Sequence, residues 1–192
     1  MLKILNPIVL SMEQIKIIFF LLASFFGIEE SKIAADKNTV TIYPEDHKIE
    51  IVQEHLFTII QTEKDTALTL AQWEQLAKWK ENKLSWAKEL ENFTNKDVTI
   101  ENNEGTIAPL ISFNYTDEND LRALGIWYNK EKNQYSINNV PRENTSSENG
   151  KLEGNYWTFD GGSTFSFTNE AFADLPNEYK RLKLPITEIL KD

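Results

Sequence analysis

The chain has 192 residues, 41% hydrophobic and 26% charged, with thirty acidic against twenty basic side chains and a formal net charge of −10. This length supports one domain with a sizeable core, without room for two full ones. The acidic surplus, with Lys and Arg scattered, excludes nucleic acid as a partner, and the absence of cysteine excludes disulfides, thiolate chemistry, cysteine zinc sites and a lipid-modified cysteine.

The first predicted element is the run Ile17 to Ile28 (IIFFLLASFFGI), twelve residues without a charge. As a helix it reaches about 18 Å, short of a hydrocarbon core about 30 Å thick, which suits the core of a signal peptide better than a stable span. Lys16 precedes the run, and Met12 would open a compact signal sequence with a basic start. Ala34 and Ala35, with Ile33 two before the latter, offer small residues near a cut, although Glu29, Glu30 and Lys32 intervene. Three readings stand: a cleaved signal, an uncleaved anchor, or a buried core helix. The first two imply an exported protein (periplasmic, secreted or membrane-anchored) that touches a membrane only through residues 15–28. Residues 1–35 are then leader and linker, with Ile33 to Asn38 as the polar joint, and residues 36–192 are a single domain. Lys3, Lys16 and Lys32 cancel Glu13, Glu29 and Glu30, so the body carries the whole negative excess.

Thr39 to Tyr43 alternates apolar and polar residues and predicts a strand, closed by a turn from Pro44 to His47. Ile49 to Ile51 and Leu56 to Ile60 predict further strands, or one bent strand. Thr69 and Gln72 fit a capping box, and two merging stripes (Trp73, Ala77, Leu84 and Trp79, Trp86, Leu90, Phe93) predict a long helix over Leu70 to Phe93 with a break near Asn82. Strands follow at Val98 to Ile100, Ile107 to Tyr115, Gly125 to Tyr128, Gln134 to Ile137, Tyr156 to Phe159 and Thr164 to Phe167. Asp117 and Asp120 open a short helix ended at Gly125. Lys130 to Asn133 and Asp160 to Ser163 (DGGS) read as hairpin turns, Arg142 to Lys151 as an exposed loop, and the tail as helical with Pro176 and Pro185 at helix starts. The fold class is α+β: an antiparallel sheet with one long helix packed on a face, plus the N-terminal apolar signal or anchor segment.

No residue is assigned a catalytic role. His47 and His55 would lie about 26 Å apart on one strand, too far for a shared metal, and they read as surface or turn residues. Ser163 lacks a nucleophile elbow, Gly161 and Gly162 lack the following Lys of a phosphate loop, and Asp117 to Asp120 lacks the ligand spacing of a calcium loop. No metal or other cofactor is therefore expected. The Asn-X-Ser/Thr triplets at Asn92, Asn114 and Asn144 fit an Asn-rich composition. The remaining lead is aromatic: Tyr128, Tyr135 and Tyr156 on strand-like segments form a candidate ligand-binding set, with core packing as its alternative. The expected role is an exported or membrane-tethered, non-enzymatic binding protein for a basic protein or a neutral glycan. The alternatives are an acidic immunity-type inhibitor of a basic toxin or hydrolase, and a carboxylate-dependent glycan hydrolase.

Overall fold

Alternation of β-branched and polar residues produces the expected strands, and in the computed structural model, which describes residues 21–103, 106–138 and 144–191, most extend beyond their predicted limits. They are β1 (Ala34–Tyr43) and β2 (Lys48–Ile59), then helix α1 (Glu63–Ala77), then β3 (Thr94–Asn103) and β4 (Thr106–Asn114). After a 3-10 helix at Glu118–Leu124 come β5 (Ile126–Asn129), β6 (Gln134–Asn138), β7 (Thr145–Ser146), β8 (Lys151–Glu153), β9 (Tyr156–Asp160) and β10 (Phe165–Asn169). The chain closes with α2 (Asn177–Lys180), β11 (Lys183–Pro185) and α3 (Ile186–Ile189). Met12, Lys16, the opening of the apolar run, Arg142 and Glu143 lie outside the described residues.

Among the described residues the strands form two antiparallel sheets, so the protein is α+β and mostly sheet. The larger follows the order β3-β4-β2-β1-β10-β7, with β11 added to β2, and the smaller follows β5-β6-β9-β8. The inner face of the large sheet presents Val40, Ile42, Ile49, Ile51, Ile111, Phe113, Phe165 and Phe167, all buried. At the β10 end the small sheet covers it, with Phe159 stacked on Phe165 at 4.4 Å and Tyr135 against the same ring at 5.1 Å. At the β4 end Phe113 meets Phe93 at 4.9 Å and Phe25 at 6.4 Å.

Phe25 belongs to the apolar run. Its described part forms a 3-10 turn over Leu22–Phe26, ended by Gly27 at φ 67°, and Leu22, Ala23 and Phe25 are no more than 1% exposed. The Ala87 N–H donates to the Phe25 carbonyl at 2.8 Å, and Gln72 receives the Lys32 N–H at 2.7 Å while donating to the Glu30 carbonyl at 3.0 Å. The expected linker at Ile33 to Asn38 is strand: Ile33 is 1% exposed and β1 begins at Ala34. Each large apolar side chain here contributes about 1.5–3 kcal/mol by burial. A cut after Ala35 would separate Leu22, Phe25, Phe26 and Ile33 from the core they fill.

The predicted long helix is corrected in both position and length. α1 starts at a different capping box, Thr62 with Asp65, where Asp65 Oδ2 accepts from the Thr62 N–H at 2.8 Å. It stops at Ala77, and Asn82 Nδ2 donates to the Gln75 carbonyl at 3.1 Å. Beyond it the Trp79 and Trp86 rings bracket Phe26 at 5.5 and 5.0 Å. The helix-like spacing of those tryptophans thus records burial against the N-terminal segment and not a continuing helix. Trp79 Nε1 also donates to the Val98 carbonyl at 3.1 Å on edge strand β3. Covering an edge in this way restrains pairing with other chains.

Asp160 to Ser163 does turn the chain, and Gly161 is required there because a Cβ would lie 2.7 Å from the Asn133 carbonyl oxygen. It does not make a hairpin. Both edges of β9 are already occupied, by β6 and β8, so β10 crosses into the large sheet beside β1.

Candidate functional site

The three tyrosines singled out by sequence do not converge. Tyr128 and Tyr135 face each other across β5 and β6, their rings 4.7 Å apart. Tyr135 is 2% exposed, and its hydroxyl lies 3.4 Å from that of Tyr115. Burial pushes both of these phenols above the ordinary tyrosine range, Tyr135 the more strongly. Tyr128 donates to Asn133 Oδ1 at 2.7 Å, at the turn joining β5 and β6. Tyr156 is 48% exposed on β9, opposite Asn138 and Glu153, on the other face of the small sheet. Two members of the set therefore serve packing and one stands alone.

Asp117 caps the following 3-10 helix, accepting the Asn119 N–H at 2.7 Å, and Gly125 ends it at φ 72°. His47 sits in the Pro44 to His47 turn with φ 47°, its ring stacked on Tyr115 at 5.0 Å. The three Asn-X-Ser/Thr asparagines donate side-chain hydrogen bonds: Asn92 to Asp120, Asn114 to the Asp46 and His47 carbonyls, and Asn144 to the Glu170 carbonyl.

His55 is different. It is the one residue inside a described strand interior, away from turns and the β3 bulge, whose backbone is left-handed, at φ 56°. Such a conformation in a non-glycine residue costs on the order of 1–3 kcal/mol and persists where surrounding structure imposes it. The cause is a change of neighbour along β2. From Lys48 to Val52 the strand pairs with β4, and that pairing stops at Leu110, the neighbour of Pro109, which has no N–H to give. From Phe57 to Ile59 its neighbour is instead β11. Between these stretches the β1–β2 register passes over Asp36 and His55.

Where β4 and β11 diverge from each other along β2 they leave a crevice of about 400 Å³. Its floor is apolar, built from Leu56, Phe57, Ile107 and Ile186, each no more than 8% exposed. Its rim carries Asp36, His55, Thr106, Lys180, Lys183 and Thr187. Lys183 Nζ meets both Asp36 oxygens at 2.5 Å and lies 4.3 Å from the centroid of the Phe57 ring. A partly buried ion pair seated on an aromatic face holds both partners in fixed positions. Apolar concavity with a few placed polar groups is the usual chemistry of a small-ligand site, and this volume lies toward the lower end of such sites.

Sequence reasoning overlooked this place, although two signals pointed to it. Pro109 stands inside an otherwise regular strand pattern, and Leu56 and Phe57 are adjacent apolar residues that break the alternation of β2, where Leu56, Phe57 and Thr58 are all buried in the fold. What no local pattern supplies is β11, a three-residue strand contributed by the tail. The chain matches no protein-family model, no curated protein and no solved structure.

Proposed function

We propose that the protein is a non-enzymatic binding protein that holds a small ligand in the crevice between β4 and β11. The observation that carries this reading is His55: a strained backbone sits at the lip of an apolar-floored concavity that the strand divergence itself creates. The Asp36–Lys183 pair, held by both carboxylate oxygens, suits a group that positions a ligand more than one that exchanges protons. The compartment proposed is still export, but in a form that keeps residues 21–35 attached. The burial of Leu22, Phe25 and Ile33 supports a retained segment over one lost at Ala35.

Amide NMR of the full chain during a small-molecule fragment screen tests the reading. Perturbations are expected to cluster at residues 55–57, 106–107 and 183–187. A cluster around Tyr156, or hits with no shared location, would refute it. Intact mass of the exported protein tests the compartment proposal, and a mature start at residue 36 would overturn it.

A further inference from the structure

The crevice differs in charge from the rest of the molecule. The chain carries −10 overall, yet among the described residues that line the crevice Lys180 and Lys183 outnumber the one carboxylate, Asp36. Lys183 is already matched by Asp36. Among the described residues Lys180 has no carboxylate within ion-pair distance, so its ammonium is the cation left over. His55 adds a ring N–H at the exposed lip, and Thr187 adds a hydroxyl. Below this rim the floor is wholly apolar, from Leu56 and Phe57 across to Ile186. A site with one surplus cation above an apolar floor is complementary to a molecule with one negative end and an apolar body. The general acidity of the surface opposes an approaching anion only over a Debye length of about 8–10 Å at physiological salt, so it slows encounter more than it weakens the docked state.

Resting on the binding reading above, we infer that the crevice takes a small aliphatic carboxylate, its carboxyl group between Lys180 and His55 and its chain along Leu56, Phe57 and Ile186. A phosphorylated ligand fits less well, because the described rim residues include no arginine fork and the described floor residues give no polar partner to a sugar.

Titration of the full chain with sodium octanoate, followed by amide NMR and calorimetry, tests this with 1-octanol as the uncharged comparison. Octanoate is expected to shift His55, Leu56 and Thr187 and to bind up to about fivefold more tightly than 1-octanol, the upper size of one exposed charge pair. Lys180→Met, at an exposed position, should remove that preference by weakening octanoate binding. His55→Gly keeps the left-handed backbone available, and is expected to weaken octanoate binding without loss of stability. Equal binding of the two probes, with no effect of Lys180→Met, would overturn the carboxylate inference and leave the crevice standing as an apolar binding site. Absence of crevice shifts with either probe would overturn both readings.

Discussion

His47, in the turn that leads into β2, and His55, inside β2, share a left-handed backbone and have opposite consequences. At the first, the strain closes a corner: the ring stacks on Tyr115 and the carbonyl accepts the Tyr115 N–H at 2.9 Å. β2 is there flanked by β1 and β4 in regular register. At the second the strain opens one, because β2 has lost β4, has not yet gained β11, and turns Asp36 and His55 out of the ladder. A left-handed residue in a turn is ordinary. Inside a strand, it marks the place where the sheet changes partner and concave surface appears.

The largest expected effect concerns what holds the closed end. Phe25 backs Phe113 there, and Phe26 is bracketed by two tryptophans. Removal of residues 1–35 is expected to abolish cooperative unfolding, because at about 1.5–3 kcal/mol per lost large apolar side chain the deficit equals the stability of a typical domain. Denaturant unfolding followed by tryptophan fluorescence checks this. A truncated chain with an unchanged midpoint would show that the corner closes without the segment.

A smaller effect follows from two buried phenols, Tyr115 stacked on His47 and Tyr135 meeting Tyr115 hydroxyl to hydroxyl. Burial raises the pKa of Tyr115 and Tyr135 in the fold, whereas the unfolded chain ionises them near the ordinary value of about 10. Folded values above unfolded ones give stability that is fully present below about pH 10 and lost as pH rises towards the folded values. Stability measured from about pH 9 to 11 should therefore fall, and Tyr135→Phe should flatten the fall. A flat profile in the unmodified protein would contradict the burial argument.

The smallest effect is the sharpest comparison. His55→Gly should gain about 0.5–1 kcal/mol, as relief of strain exceeds the added entropy of the unfolded chain. His47→Gly should gain nothing, because the same relief is offset by loss of a ring contact worth about 0.5–1.5 kcal/mol. Equal changes at the two positions, read from unfolding midpoints, would dissolve the distinction.

Much of the sheet was legible in the residues. Thr39 to Tyr43, Ile107 to Tyr115 and Gln134 to Ile137 alternate as half-buried strands must, and Asp117 with Gly125 marked the ends of a short helix. What failed was the attribution of apolar residues to a partner. Trp79, Trp86, Leu90 and Phe93 have helical spacing, yet the partner that buries Trp79 and Trp86 is Phe26, in a run that hydropathy alone assigns to an export leader. Likewise DGGS encodes a reversal but not which strand lies beside the next one. The crevice was still less legible, since it needs Pro109, His55 and the tail strand Lys183–Pro185 brought together. Tyr128 and Tyr135 entered the candidate binding set because period-two alternation leaves the choice of face open; in the fold Tyr135 packs on Phe165 and Tyr128 packs on Tyr135.

The most direct test of the open corner is to fill it. Thr106 is exposed at the crevice rim, so Thr106→Trp places a large ring over the floor without entering the core. Calorimetric titration with octanoate should then show at least about tenfold weaker binding at an unchanged unfolding midpoint, a loss of about 1.4 kcal/mol. Undiminished affinity in a folded Thr106→Trp protein would mean that the ligand sits elsewhere.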